Sequence, residues 1–88
     1  MDRNDSLNMK PAEIRAAFED PHWAAEFPPV LSVDQAALLI QVPKATIYEW
    51  SSRKLLRGCA RKVGKHLRIF RDRFLAQIAN EGIQRNGK

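Results

Sequence analysis

Residues 31–50, LSVDQAALLIQVPKATIYEW, constrain the fold most, because they encode two short helices separated by only a few residues. Ser32 stands before the first helix, and Gln35 follows three residues later. This is the capping-box pattern, in which each side chain satisfies a free backbone N–H of the first turn. Gln41 and Val42 form the turn, and we expect the Val42 side chain to pack in the core between the helices. The pattern predicts two helices joined by a tight turn.

The second helix, predicted from Lys44 to about Ser52, has two different faces. With a rotation of about 100° per residue, Ile47 and Trp50 lie on the same side, which predicts the side that packs on the core. The opposite side is polar and basic and carries Lys44, Ala45, Tyr48 and Ser52. Trp50 is interpreted as a core residue, since an apolar Trp in a helix is more often core than a ligand-stacking residue.

Charge is distributed unevenly along the chain, whose net charge is +5. Residues 1–40 contain three Lys or Arg and seven Asp or Glu, whereas residues 41–73 contain ten Lys or Arg and two Asp or Glu. A block of net charge +8 that begins at a helix pair is the pattern expected of a face that binds a polyanion. The alternative is a solvated surface, but the helix pair favours nucleic acid.

A β-hairpin is predicted after the second helix. Gly64-Lys65 offers a turn between Val63 and the apolar positions Leu67 and Ile69. Four basic residues lie on or near this hairpin: Arg61, Lys62, Lys65 and Arg68. A last helix is predicted beyond it, because three apolar residues recur at helical spacing between Arg71 and about Glu81, namely Phe74, Leu75 and Ile78.

The chain therefore divides into an acidic N-terminal extension with a short amphipathic helix (1–30), a domain of helix, turn, helix, hairpin and helix (31–81) and a C-terminal tail (82–88). The extension contains an apolar series formed by Ile14, Phe18, Trp23 and Phe27. We expect this series to pack on the first helix of the pair and to cover Leu38, which points outward. The alternative is a surface for self-association or for a recombinase or regulatory partner.

Several other classes of protein do not fit the sequence. No apolar run approaches the roughly 20 residues of a membrane span, and the polar N-terminus is not a signal peptide, so a cytoplasmic location is expected. Cys59 is the only cysteine, and His22 and His66 lie far apart, so neither a disulfide nor a metal site is expected. No nucleophile–base arrangement, phosphate-binding Gly loop or carboxylate pair is present. We predict neither a cofactor nor enzymatic activity.

The chain resembles the small winged helix-turn-helix DNA-binding domains of the excisionase and MerR-like group. The resemblance covers about Leu31 to Ile78, roughly half of the chain. It is carried by Leu31-Ser32-Val33, Ala36-Ala37, Val42, Thr46-Ile47-Tyr48, Trp50, Leu55 and Val63-Gly64-Lys65. The fold class expected is mainly α with a small β-hairpin, a winged helix-turn-helix.

Four positions depart from the pattern of that group. Pro43 replaces the usual Ser or Thr cap of the second helix, and Gln41 occupies a turn position where Gly is frequent. Leu38 replaces a usually charged residue on the first helix, and Arg53 stands where Gly is common. A left-handed Gln41 would cost about 1 kcal/mol.

The resemblance implies that the chain binds double-stranded DNA, with its second helix in the major groove and its hairpin on the backbone or minor groove. An excisionase-like architectural factor and a small transcriptional regulator are the two roles that fit. A non-catalytic protein-interaction adaptor of the same shape is the alternative. The residues predicted to bind DNA are Lys44, Ala45, Tyr48, Glu49, Ser52, Arg53, Arg61, Lys62, Lys65, His66 and Arg68.

Overall fold

The computed structural model describes residues 9–82, which form five helices and three strands. In chain order these are α1 (Pro11–Ala17), α2 (Pro21–Glu26), β1 (Val30–Leu31), α3 (Val33–Ile40), α4 (Lys44–Ser52), β2 (Ala60–Val63), β3 (His66–Phe70) and α5 (Arg71–Asn80). The strands form one antiparallel sheet in the order β1-β3-β2. The predicted winged helix-turn-helix is confirmed. Apart from Gly82, the predicted tail lies outside the described residues.

The two central helices are formed by local signals that the sequence displays. At the start of α3, the Ser32 hydroxyl accepts a hydrogen bond from the Gln35 N–H at 3.1 Å, and the Gln35 side-chain oxygen accepts one from the Ser32 N–H at 2.9 Å. The capping box is therefore confirmed. Gln41 ends α3 in the left-handed region, with φ of 60° and ψ of 50°. Pro43 precedes α4 without a side-chain cap, as its sequence requires.

The wing is the hairpin of β2 and β3. Val63 pairs with His66, which leaves Gly64 and Lys65 as a two-residue turn. Gly64 has a φ of 65°, and a glycine at the first position of such a turn is typical of type II′, whose twist matches the strands. The sequence did not predict β1, which pairs Val30 with Phe70 and Leu31 with Ile69 on the free edge of β3.

The hydrophobic core includes residues of the N-terminal extension. Ile14, Phe18 and Phe27 are buried together with residues of α3, α4, the sheet and α5. The extension contacts α5 through α1. The expectation that it covers Leu38 is wrong, because Leu38 remains 58% exposed while α1 packs against a different helix. Trp23 stays half-exposed, stacked on Phe27 with ring centroids 5.6 Å apart.

Arg71, the first residue of α5, is buried, unlike most other members of the basic block. Its guanidinium donates to the Phe27 carbonyl at 2.9 Å and to Asp72 Oδ1 at 2.8 Å, and it lies 3.9 Å from the centre of the Phe18 ring. Its backbone N–H donates to the Pro29 carbonyl at 2.8 Å. Arg71 therefore holds the extension onto the domain and does not contribute to a DNA-binding face.

A second link joins the two ends of the described chain. The Met9 N–H donates to Asn80 Oδ1 at 2.6 Å, and the Asn80 side-chain amide donates back to the Met9 carbonyl at 3.3 Å. About one turn earlier on α5, the Gln77 side chain donates to the Leu55 carbonyl at 2.8 Å. The last helix thus holds the first described residue, Met9, at one point and the loop after α4 at another.

Among residues 9–82, no helix has the length and hydropathy needed to cross a lipid bilayer.

Replacing Arg71 with Ala is expected to lower the free energy of unfolding by about 3 kcal/mol. The substitution leaves the Phe27 carbonyl without its charged donor and removes the cation above the Phe18 ring. Arg71→Lys should recover only part of the loss, since an ammonium group cannot reproduce the planar fork. Urea denaturation followed by circular dichroism measures the change. The control is Arg73→Ala on the same helix, which removes an exposed side chain with one long bond, at 3.4 Å, to Gly58. Equal losses in the two variants would contradict the role assigned to Arg71.

Candidate nucleic-acid interface

A groove of about 720 Å³ separates the outer side of α4 from the wing. Its floor and walls come from the start of α3, from α4, from Lys54 in the loop after α4, and from the strands and turn of the wing. The lining residues are Ser32, Val33, Asp34, Lys44, Tyr48, Ser51, Ser52, Lys54, Lys62, Lys65, His66, Leu67 and Arg68. Five of them are Lys or Arg and one is a carboxylate, so the groove is predominantly positive. We refer to it as the α4–wing groove.

The structure brings most of the predicted binding residues together in this groove. Those that line it are Lys44, Tyr48, Ser52, Lys62, Lys65, His66 and Arg68. The others are exposed but do not line it: Ala45, Glu49, Arg53 and Arg61. Among the residues that sequence reasoning missed are Asp34 and Lys54. Asp34 lies on α3, for which the sequence predicts only a side that packs on the core. Lys54 lies in the loop after α4, where the sequence predicts no element.

Helix α4 presents its polar side to the groove, as predicted. Ile47 is fully buried and Trp50 is partly buried against the core, so the predicted inward face is confirmed. Tyr48 is 54% exposed, and Lys44, Ala45 and Ser52 are exposed as well. The core side of the helix fixes its rotation, and that rotation directs the polar side outward.

Lys44 forms an ion pair across the turn with Asp34 of α3. The Lys44 Nζ lies 3.1 Å from Asp34 Oδ1. The hydrogen bond and the negative charge of Asp34 raise the pKa of Lys44, so the ammonium remains charged throughout the neutral range. Both side chains are open to water, with 57% and 74% of their surfaces exposed. Such pairs contribute little to folding stability.

A second ion pair lies on α4 outside the groove. Glu49 Oε2 is 3.6 Å from Arg53 Nε, one helical turn away, and both side chains are about half-exposed. The Ser52 hydroxyl donates to the Glu49 carbonyl at 3.0 Å. This pair resembles the Lys44–Asp34 pair in charge and exposure but differs in position.

The wing places like charges next to each other. Arg61 and Arg68 are register partners on neighbouring strands, so their side chains lie on the same face of the sheet. Directly opposed like charges destabilise a strand pair, and a polyanion bound there would relieve the repulsion. The Arg68 guanidinium donates to the Leu67 carbonyl at 3.2 Å, which partly fixes its direction.

A smaller basic cleft of about 400 Å³ adjoins the α4–wing groove. It is lined by Ser51, Lys54, Leu56, Arg57, Ala60, Arg61, Lys62 and Leu67, and no carboxylate is among them. Lys54 and Lys62 line both the cleft and the groove, so the positive surface is continuous from α4 to the loop before β2. Lys54 has a left-handed backbone, with φ of 64°. Arg61, which is outside the groove, lies in this cleft.

Residues 9–82 contain neither an activated cysteine nor a cluster of metal ligands. Cys59 is buried, and burial raises the pKa of its thiol to about 11. A protonated, enclosed thiol is a poor nucleophile and a poor metal ligand. No group of three or more His, Cys, Asp and Glu side chains in this part of the chain is arranged to hold a metal ion.

Comparison with known proteins identifies one family. A family model described as "Helix-turn-helix domain" matches residues 30–81, which is more than half of the chain. The match begins at β1 and continues just beyond α5, so it includes both helices of the pair, the wing and every residue that lines the groove. No curated protein and no solved structure matches the chain.

Cys59 is expected to react slowly with iodoacetamide in the folded protein. A rise in pKa from 9.0 to about 11 reduces the thiolate fraction at pH 8 by about 100-fold, and burial adds a steric barrier. Mass spectrometry of timed samples measures the rate, and the urea-unfolded chain provides the reference. Equal rates in the two states would show that the thiol is accessible and ionised normally.

Proposed function

The chain belongs to the helix-turn-helix domain family, and on this premise we propose that it is a sequence-specific, non-enzymatic protein that binds duplex DNA. Helix α4 enters the major groove, and the wing lies on the adjacent backbone or minor groove. The observation that carries the proposal is the α4–wing groove, in which a polar helix face and a basic hairpin flank one continuous positive surface.

The N-terminal part of α4 supplies the contacts to bases. Helices of this kind meet base edges with their first residues, which here include Lys44 and Ala45. Lys44 donates to guanine acceptors, and Ala45 contacts a thymine methyl group. Tyr48 donates its hydroxyl to a phosphate. Glu49 and Arg53 pair with each other beside the groove, where they influence register more than they read bases.

The wing and the basic cleft supply the contacts to phosphates. Arg61, Lys62, Lys65 and Arg68 line the groove or the cleft, and His66 stands at the tip of the wing. Lys54 and Arg57 extend this set along the cleft. Each phosphate contact contributes about −0.9 to the slope of log affinity against log salt. These contacts increase affinity for any duplex but carry little sequence information.

Two biological roles follow from this mode of binding. One is an excisionase-like architectural factor, which bends DNA beside a recombination site and directs a recombinase. The other is a small transcriptional regulator, which occupies a promoter. The continuous positive surface favours the first role. Its cations lie in the groove and in the adjoining cleft, so they neutralise phosphates on one side of the duplex and favour bending of the DNA around the protein.

Charge reversal tests the proposed face. Duplexes are first selected by the wild-type protein from a random pool and sequenced. Lys44→Glu should weaken binding to the selected duplex by about 10- to 100-fold, because it removes a base contact. Arg61→Glu with Lys62→Glu should weaken binding to every duplex and make the salt slope shallower. Fluorescence anisotropy over a series of salt concentrations measures both effects.

The control for charge reversal is Arg15→Glu on α1. Arg15 is exposed and lines neither the groove nor the cleft, so a change in net charge equal to that of Lys44→Glu should have a much smaller effect there. Wild-type binding that is undetectable even at low salt would refute the proposal and favour the adaptor alternative. Equal losses in Lys44→Glu and Arg15→Glu, with a larger loss in the doubly substituted wing variant, would indicate a response to net charge alone.

Circular-permutation gel shifts separate the two roles. If the protein is an architectural factor, complexes with the selected site near the middle of a fragment should migrate markedly more slowly than complexes with the site near an end. The Arg61→Glu, Lys62→Glu variant should reduce this difference, since the bend depends on neutralised phosphates. Position-independent mobility would favour the regulator.

A further inference from the structure

We propose that Asp34 and Lys44 act together to read one G·C base pair, with Asp34 as a specificity-determining residue. Lys44 donates to the guanine, and Asp34 accepts from the amino group of the cytosine paired with it. This inference rests on the proposed function and deepens it, because it names one of the bases that the groove recognises.

The first argument is the position of Asp34. Its side chain is the one carboxylate among the residues that line an otherwise basic groove. A carboxylate in a phosphate-binding surface opposes binding unless it meets a donor, and in duplex DNA the donors lie on the base edges. The helix dipole also favours a carboxylate in the first turn of α3. The dipole accounts for the presence of Asp34 but not for its ion pair with Lys44 of α4.

The second argument is how firmly the two residues are held. The capping box fixes the backbone on both sides of Asp34, and Val33 beside it is buried. Lys44 is the first residue of α4, whose rotation is fixed by the buried Ile47. A lysine without a partner can reach phosphates in many directions. The ion pair with Asp34, at 3.1 Å, limits the directions in which the Lys44 ammonium can point.

The third argument is the match of donors and acceptors. The lysine ammonium has three N–H donors, and the bond to Asp34 uses one of them. Two remain for guanine O6 and N7, which are the acceptors that a lysine prefers in the major groove. The neighbouring cytosine presents its N4 amine, which is a donor that a carboxylate accepts. A lysine and a carboxylate side by side therefore complement the edge of a G·C pair, where an acceptor and a donor are also side by side.

The pair also explains how the groove would reject other sequences. An A·T pair at this position presents the adenine N6 donor toward Lys44 and the thymine O4 acceptor toward Asp34, so a donor meets a donor and an acceptor meets an acceptor. A phosphate of the DNA backbone can attract Lys44 only by competing with Asp34 for its ammonium group. The carboxylate thus lowers affinity for most duplexes more than for the correct one.

The test is selection from a random duplex pool by the wild-type protein, Asp34→Ala and Glu26→Gln, followed by anisotropy on the selected duplex and on substituted versions. We expect wild type to prefer G·C over A·T at one position by about 10-fold or more. Asp34→Ala should lose most of that preference, keep the others and bind scrambled duplex more tightly. Glu26→Gln removes an exposed carboxylate on α2 that lines neither the groove nor the cleft, so this variant should keep the preference.

Three results would overturn the inference. One is that the base preferences of Asp34→Ala match those of wild type. Another is that Asp34→Ala and Glu26→Gln raise affinity for all duplexes by the same factor, which would show a general charge effect. In both cases wild type still binds a selected site, so the proposed function stands. The third is that wild type selects no sequence, and then sequence-specific binding fails together with this inference. Circular dichroism of each variant verifies that it is folded at the assay temperature.

Discussion

The buried guanidinium of Arg71 is the interaction on which the arrangement of the other elements depends. It lies where β3 ends and α5 begins, and it connects that junction to the Phe27 carbonyl and the Phe18 ring of the N-terminal extension. A buried cation must have its donors satisfied, so the two segments are held in one relative position. The extension is thereby made part of the core, and β1 follows it directly onto the edge of β3.

Basic residues that lie close together in the chain therefore have two different roles, one in the fold and one at the surface. Arg71 is enclosed and acts on the fold, whereas Lys62, Lys65 and Arg68 line the groove a few residues earlier. The register of the wing maintains that division, because Leu67 and Ile69 are buried while the residues between and beside them remain accessible. The basic surface is therefore built on a sheet whose central strand is fixed on both sides, by β1 and by β2.

The parts of the structure that follow from local chemistry could be predicted from the sequence. The capping box at Ser32, the two faces of α4 and the Gly64 turn each depend on residues close together in the chain. What could not be predicted depends on contacts between distant segments. The two-residue strand β1 has no pattern of its own, and its pairing with β3 joins residues some forty positions apart. The burial of Arg71 and the pairing of Asp34 with Lys44 require the fold to be known first. The same is true of Leu38, whose exposure follows from where α1 packs.

The reciprocal hydrogen bonds between Met9 and Asn80 bring the two ends of the described chain to one place. A domain whose ends adjoin can be carried as a loop inside a larger polypeptide, because a host chain can leave and return at almost the same point. Such a domain is also suited to a change of chain order, in which a linker joins the two ends of the described residues and new ends are opened at an exposed turn. The α4–wing groove therefore depends on how the elements pack and not on their order along the chain.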